Sequence, residues 1–349
     1  MSVTNALTCK ACFAHGAKDV RWEDREIHFT DKDVLVKVAS GGICGSDIHY
    51  YLHGRAGMSI LKQPMVLGHE FVGVVESAPA GSSLRVGQRV AINPSQPCNH
   101  CEQCLSGRQN LCASMRFMGS AQFNPHVDGG FSQYVVASEQ QCIPYNAAVP
   151  APVMAFSEPL SVAIHAVNVA GTLVGKKVLV IGAGPIGCLI IAAARSAGAG
   201  EIVASDVSAR CLDLAKAMGA EAAFNPAEPG GGDIYRKNRG YFDVTFEVSG
   251  NAAAIASTVD YTRPAGKVVQ VGMGSATADF PIMPMLVKEI TLTGSFRFIG
   301  EFATAVKWLE DGRIDPTPLI SATFAPDNLE KALITAADKT QSAKVLMAF

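Results

Sequence analysis

Residues 154–187 read MAFSEPLSVAIHAVNVAGTLVGKKVLVIGAGPIG, and the second half of that stretch decides the fold. A strand, Lys177 to Ile181, runs straight into Gly182, Gly184 and Gly187. Pro185 then opens a helix to Ala197 (PIGCLIIAAARSA) that is apolar nearly all round, as a helix buried against a parallel sheet must be. Strand, G-x-G-x-x-G turn and helix in that order form a dinucleotide-binding turn. Its glycines admit a pyrophosphate to the backbone, and the helix N-terminus favours the negative charge. Gly198 ends the helix, and a second strand, Glu201 to Ser205, finishes at Asp206. That acid stands 24 residues after Gly182 and 19 after Gly187, where a carboxylate bonds both ribose hydroxyls.

Working outward, β/α alternation continues. A helix is expected over Arg210–Met218, and strands over Ala222–Phe224, Phe242–Val248, Val268–Val271 and Glu289–Phe296; Glu228 to Asp233 (EPGGGD) is a surface loop. Gly300–Asp311 and Leu329–Asp338 read as helices and Val345–Ala348 as a closing strand, too little chain for a third domain, so this tail rejoins the first. Upstream, the helix opening at Ser157-Glu158-Pro159 joins the two halves. Val34–Ser40 alternates apolar and polar residues as an antiparallel strand does; Phe71–Val75 and the segment after Val86-Gly87 are further strands. Short strands with Gly and Pro punctuation make the first 150 or so residues a small β-barrel.

The totals fit this division. A chain of 349 residues favours two domains, and 48% hydrophobic against 17% charged residues describes a globular protein with a large core. A net charge of −2 gives no electrostatic case for nucleic acid or an anionic membrane. Met1 to Lys10 lacks a basic segment followed by an apolar one, so no signal peptide is expected, and no apolar run reaches the roughly 18 residues of a membrane span. The expected location is the cytoplasm.

Cys98, Cys101, Cys104 and Cys112 have the spacing C-x2-C-x2-C-x7-C. Four thiolates on one short loop make a closed tetrahedral zinc site that holds the loop in shape. An iron–sulfur cluster fits less well, because the bacterial ferredoxin run places its fourth cysteine at x3 with proline after it, and here Ala113 follows Cys112. Cys9, Cys12, Cys142, Cys188 and Cys211 read as small apolar residues. A second, catalytic zinc needs three protein ligands and an open position. Its candidates are Cys44 in the glycine-bent loop GGICGSDIHYY, His69-Glu70 after Gly68, and Glu158 at the joining helix. Which glutamate completes the set stays open. A zinc beside a nicotinamide lowers the pKa of an alcohol, so that hydride can leave to the cofactor. The alcohol proton then has a route through Ser46 and His49 to solvent.

At GGICGSDIHYY, PMVLGHE, the four-cysteine loop, SEPLSVAIHA, GAGPIG and VQVGMG the chain resembles the zinc-dependent medium-chain dehydrogenases, within them the sorbitol dehydrogenase-like polyol branch. The likeness covers nearly the whole chain. Within the family, Met115–Phe131, Tyr241–Gly250, Gly294–Phe298 and Asp338–Val345 resemble members that act on a sugar acid. The resemblance implies an α/β fold, a Rossmann doubly wound parallel sheet (153–296) inserted in a GroES-like β-barrel catalytic domain (1–152 with 297–349). It implies catalytic zinc on Cys44 and His69 with Glu70 or Glu158, and a second, structural zinc. Cofactor contacts are implied for Gly182, Gly184, Pro185, Ile186, Gly187, Asp206, Arg210, Val271, Gly272, Met273, Ser295, Phe296 and Arg297. The substrate side falls to Tyr50, Arg116, Phe117, Glu158 and Arg297, the arginines offering a guanidinium to a carboxylate. The implied reaction is oxidation of L-idonate to 5-keto-D-gluconate with NAD, NADP being tolerated; a polyol such as sorbitol or xylitol is the alternative. A homodimer or homotetramer is implied, with Thr291–Phe296 as an edge strand. Two departures stand out. Ser77-Ala78-Pro79 replaces the usual Val-Gly pair, and the basic residue after the ribose acid comes at four positions, as Arg210, with Cys211 at five.

Overall fold

The computed structural model describes residues 4–274 and 277–349, so Met1 to Val3 of the N-terminal reading lie outside the described residues. The chain forms two compact units, Met1–Glu158 with Phe302–Phe349, and Pro159–Glu301.

The first unit is built on a seven-stranded sheet, in the order Cys142–Pro144, Arg89–Ile92, Glu70–Ser77, Val34–Gly42, Lys344–Ala348 and Ile320–Phe324, with Tyr134–Ala137 also paired to Val34–Gly42. One edge of Val34–Gly42 pairs with Glu70–Ser77. The other edge is shared: residues 34–37 take Tyr134–Ala137, and residues 40–42 take Leu346–Ala348. The C-terminal segment Phe302–Phe349 thus belongs to the first unit. Alternation in Val34–Gly42 puts Val34, Val36 and Val38 into one core with Phe71, Val75, Val90 and Ile92, while Lys37 faces water. A smaller sheet, Asp19–Thr30, Thr4–Gly16 and Met65–Val66, flanks it. Its long hairpin was not legible, because TNALTCKACFAHG alternates only weakly.

The second unit is a six-stranded sheet in the order Ala222–Phe224, Glu201–Ser205, Lys177–Ile181, Phe242–Glu247, Thr262–Gln270 and Thr291–Gly294, parallel throughout. This is the doubly wound order, with its reversal between Lys177–Ile181 and Phe242–Glu247. Burial explains the apolar runs: Val178, Leu179 and Val180 are fully enclosed, as are Cys188, Leu189, Ile190 and Ile191 on the helix Pro185–Ser196. The helix Ala252–Tyr261, not anticipated from the sequence, is capped by Asn251, whose Oδ1 accepts from Ala253 N and Ala254 N. The apolar run Ala151–Ala170 is helical and long enough for a membrane span by composition, which the sequence reading had not allowed. It is mostly buried within the fold, as a core helix is.

Candidate metal centres and dinucleotide site

Cys44 ends the strand–loop segment after Gly41-Gly42 and caps the helix Gly45–His53. Asp47, fully buried on that helix, uses one carboxylate oxygen to accept Cys44 N (2.9 Å) and the other to accept Gly68 N (3.1 Å). It thereby ties the Cys44 loop to Gly68-His69-Glu70. Burial raises the Asp47 pKa, and the neighbouring His69 pulls it back down.

Gly68 has φ +90°, and a Cβ there would collide with the Phe131 ring. Glu70 opens its strand opposite Gly42, which in turn faces Leu346. A Cβ on Gly42 would run into Glu70 Oε2, so the glycine makes room for the carboxylate. Lys344, two residues before Leu346, donates from Nζ to both Glu70 oxygens (2.8 and 2.7 Å) and to Ile43 O (3.1 Å). Both side chains of this pair are buried. Nothing in the sequence flagged Lys344, because its partner is 274 residues away.

The ligand atoms of Cys44, His69 and Glu70 lie within 4.8 Å of one another. His69 Nδ1 is buried with no hydrogen-bond partner among the described residues. Burial, then the charge of Glu70, pushes the Cys44 thiol up to about 12. Burial likewise pushes Glu158 up to about 8; His69 opposes this, while Glu70 and Cys44 add to it. Burial thus favours the protonated forms of the Cys44 thiol and Glu158, and a divalent cation among these groups would favour their ionised, ligating forms instead. A zinc ion fits this sulfur, nitrogen and oxygen set.

Around it, Phe117 lies with its ring 5.6 Å from that of His69. Ser46 is half-buried, and its backbone N–H bonds the Cys44 sulfur. His49 is exposed, its pKa held below the usual imidazole value by partial burial and then by His53, whose ring is 5.8 Å away. Tyr50, expected on the substrate side, is 2% exposed in a core cluster, and its hydroxyl accepts Ala121 N (3.0 Å). Arg116 donates to Pro125 O (3.5 Å).

Cys98, Cys101, Cys104 and Cys112 also converge within 4.8 Å. Cys98 N donates to Cys112 Sγ (3.3 Å). Backbone N–H groups, that of Cys104 foremost and then Ala113, lower the Cys101 thiol to about 6, and that of His100 foremost lowers Cys98. Amides aimed at sulfur stabilise thiolates, the form that binds metal. All ten cysteines are free of disulfides.

In the second unit, Gly182 has φ +94°, and a Cβ on Gly187 would strike Gly182 O. Gly184 faces open space at the N-terminus of the helix Pro185–Ser196, a cradle for a phosphate, with Ile186 half-buried in the first turn. Asp206 accepts Ala183 N (2.8 Å) at one oxygen and Ser208 N (2.9 Å) at the other, and keeps lone pairs for ribose hydroxyls. Ser208 also caps the helix Ala209–Ala217, which carries Arg210 in its first turn. A cavity of about 410 Å³ is lined by Gly182, Asp206, Arg236, Ser249, Asn251 and Tyr261, among others. Arg236 was not singled out from the sequence; it donates to Tyr261 Oη (2.9 Å). Val271 N and Gly272 N donate to Glu247 O, and Met273 is exposed. Ser295 N donates to Gln270 O (2.9 Å), and the Arg297 guanidinium lies 4.9 Å from the Phe296 ring centre. These elements fit a dinucleotide.

The model of the alcohol dehydrogenase GroES-like domain family matches residues 30–150, and that of the zinc-binding dehydrogenase family matches residues 185–311. The chain is 50% identical over 340 residues to L-idonate 5-dehydrogenase (NAD(P)(+)) of Escherichia coli strain K12, covering 97% of this chain and 98% of that protein. It is 38% identical over 343 residues to D-xylulose reductase A of Aspergillus niger, covering 95% of each. The crystal structure of the L-idonate 5-dehydrogenase from E. coli K-12 matches with a TM-score of 0.97 at 49% identity, covering 99% of each chain.

Proposed function

The chain belongs to the zinc-binding dehydrogenases with a GroES-like domain, and from that premise we propose that it oxidises L-idonate to 5-keto-D-gluconate with NAD(P). The observation that carries this reading is the Cys44, His69 and Glu70 donor set in a chain half identical, along almost its whole length, to an L-idonate 5-dehydrogenase. D-xylulose reductases at 38% identity support a polyol as the second reading.

In this account Cys44, His69 and Glu70 would hold the catalytic zinc, with Glu158 beside them, and the four-cysteine loop a structural one. When bound, zinc supplies Lewis acidity at the alcohol oxygen and NAD(P) supplies the hydride acceptor. The chain's own residues do the rest. Lys344 fixes Glu70 and offsets its charge. Asp47 sets the spacing of the Cys44 and His69 loops. Phe117 covers His69 and keeps water from it. Ser46 takes the alcohol proton and passes it towards His49, an exposed imidazole that favours its neutral, proton-accepting form. Arg116 and Arg297 serve the hexonate carboxylate. Asp206 favours NAD by repelling a 2′-phosphate, and Arg210 partly offsets that.

Further proposals concern location and assembly. Ten free cysteines suit the reducing cytoplasm. Thr291–Gly294 ends its sheet, and the neighbouring helix Ile282–Val287 exposes Ile282, Met283, Leu286 and Val287 by 56–66%. An open edge beside an apolar surface favours a homo-oligomer formed through this face. The test of the metal reading is elemental analysis with chelation. Two zinc ions per chain, with L-idonate oxidation lost on chelation and restored by zinc, support it; iron, or a single zinc, contradicts it.

A further inference from the structure

Ile181, Glu247 and Gln270 stand in one register row across three neighbouring parallel strands, and each is the last residue of its strand. Three loops leave from this row: the glycine turn, residues 248–251 and residues 271–274. Glu247 is wholly buried. Its Oε1 accepts from Ser249 N (2.9 Å), Ser249 Oγ and Gly250 N (3.1 Å). Its Oε2 accepts from Gly250 N (3.0 Å) and from Gln270 Nε2 (2.6 Å), which also donates to Gly272 O (2.8 Å). Its main-chain carbonyl takes Val271 N and Gly272 N. Among the described residues no lysine or arginine forms an ion pair with this carboxylate. The loops interlock around it. A Cβ at Gly272 would come 2.8 Å from Glu247 Oε2, one at Gly250 2.7 Å from the Met273 carbonyl, and one at Gly182 2.7 Å from Ser249 N.

A buried carboxylate without a counter-ion is costly unless its lone pairs are filled by donors. Here the donors are Ser249 and Gly250 of one loop and the side chain of Gln270, which itself holds Gly272 of the next, at the carboxyl ends of the strands, the place where open parallel sheets bind ligands. We propose that Glu247 is a positioning residue for the dinucleotide. It acts through Ser249, Gly250 and Gln270, holding both loops in the shape that receives the cofactor. The proposal rests on the reading of this unit as an NAD(P) site. The two loops have different duties. Ser249 and Asn251 wall the cavity that contains Asp206, so residues 248–251 serve the adenosine half. Residues 271–274 do not line that cavity, so they serve the remainder of the dinucleotide.

The test measures binding of NADH by fluorescence titration and of ADP-ribose by calorimetry, together with melting temperature and the split between KM and kcat. Glu247→Gln removes an anionic acceptor and turns an amide donor against loop N–H groups. It weakens both ligands by about tenfold or more and raises KM for NAD, with kcat at saturation changed little. Gln270→Leu frees only the second loop, so it weakens NADH by about fivefold or more and leaves ADP-ribose within about twofold. Wild-type affinities in Glu247→Gln, with only a lower melting temperature, overturn the proposal and leave Glu247 a structural residue. If Glu247→Gln does not fold, Gln270→Leu decides, and unchanged NADH affinity there overturns it. Failure of the wild-type protein to bind NADH removes the cofactor reading itself.

Discussion

At the scale of single residues, the buried pair Lys344–Glu70 is where the sequence said least and the structure most. Both groups of the pair are buried, and the lysine meets both carboxylate oxygens. Removing one partner of such a pair leaves the other uncompensated. Lys344→Met in the metal-free protein therefore costs about 3–5 kcal/mol in chemical denaturation. A loss below about 1 kcal/mol, the range of exposed pairs, means that Glu70 is not held as described. In the proposed function Arg116 and Arg297 serve the substrate carboxylate. Losing a charge-assisted bond to a carboxylate costs on the order of 1.5–3 kcal/mol, roughly ten- to a hundredfold in kcat/KM. At least one of Arg116→Ala and Arg297→Ala therefore harms L-idonate oxidation far more than sorbitol oxidation. Equal losses on both substrates in both variants contradict a carboxylate contact.

Elements were legible where one local rule decided them. Lys177–Ile181 and Glu201–Ser205 form as read, because a run of apolar residues next to a glycine turn or an acid has few alternatives. Ala222–Phe224 forms too, although its residues are only half-buried. The strand Thr262–Gln270 is longer than expected. It contains Pro264, Ala265 at φ 57° and Gly266, which are accommodated as an irregularity in the pairing. Tyr50, placed on the substrate side by the family resemblance, is instead buried in the core, where Ala121 N meets its hydroxyl. Cys44 and His69 were legible as a pair; Lys344 was not, because its partner Glu70 is set by strand register rather than by spacing, and for Glu247 the same holds of Gln270 alone. At this scale the four-cysteine loop and the Cys44 loop separate cleanly. Cys98→Ser lowers the melting temperature and releases one zinc, since the loop around residues 98–112 has little core of its own beyond Met115 and Phe117. Cys44→Ser keeps the fold and abolishes turnover. The reverse pattern contradicts the assignment of the two sites.

For the molecule as a whole, the way the chain enters and leaves the cofactor unit has a measurable pH signature. Glu301, at the end of that unit, faces His165 and Asn168 of the helix Ser157–Ala170 (3.0 Å each) and accepts Ile299 N (2.6 Å). Burial alone would raise its pKa, but the bonds from His165, Ile299 and Asn168 lower it from 4.5 to about 2. A carboxylate depressed in this way adds stability that is complete above its unfolded pKa and disappears as the pH falls towards the folded value. The contribution is at most about 3 kcal/mol. Glu301→Gln therefore lowers urea-unfolding stability at about pH 6 and makes little difference near about pH 2. A penalty that does not shrink on acidification contradicts these hydrogen bonds to the carboxylate as the cause.

The central claim joins a zinc site, a dinucleotide site and a sugar acid in one reaction. It is tested most directly by kcat/KM for a panel of hexonates and polyols, each assayed with NAD and with NADP. The account predicts that L-idonate exceeds sorbitol and xylitol, that the product is 5-keto-D-gluconate, and that NAD is used at least as well as NADP. Faster oxidation of sorbitol or xylitol than of any hexonate contradicts it and makes this protein a polyol dehydrogenase.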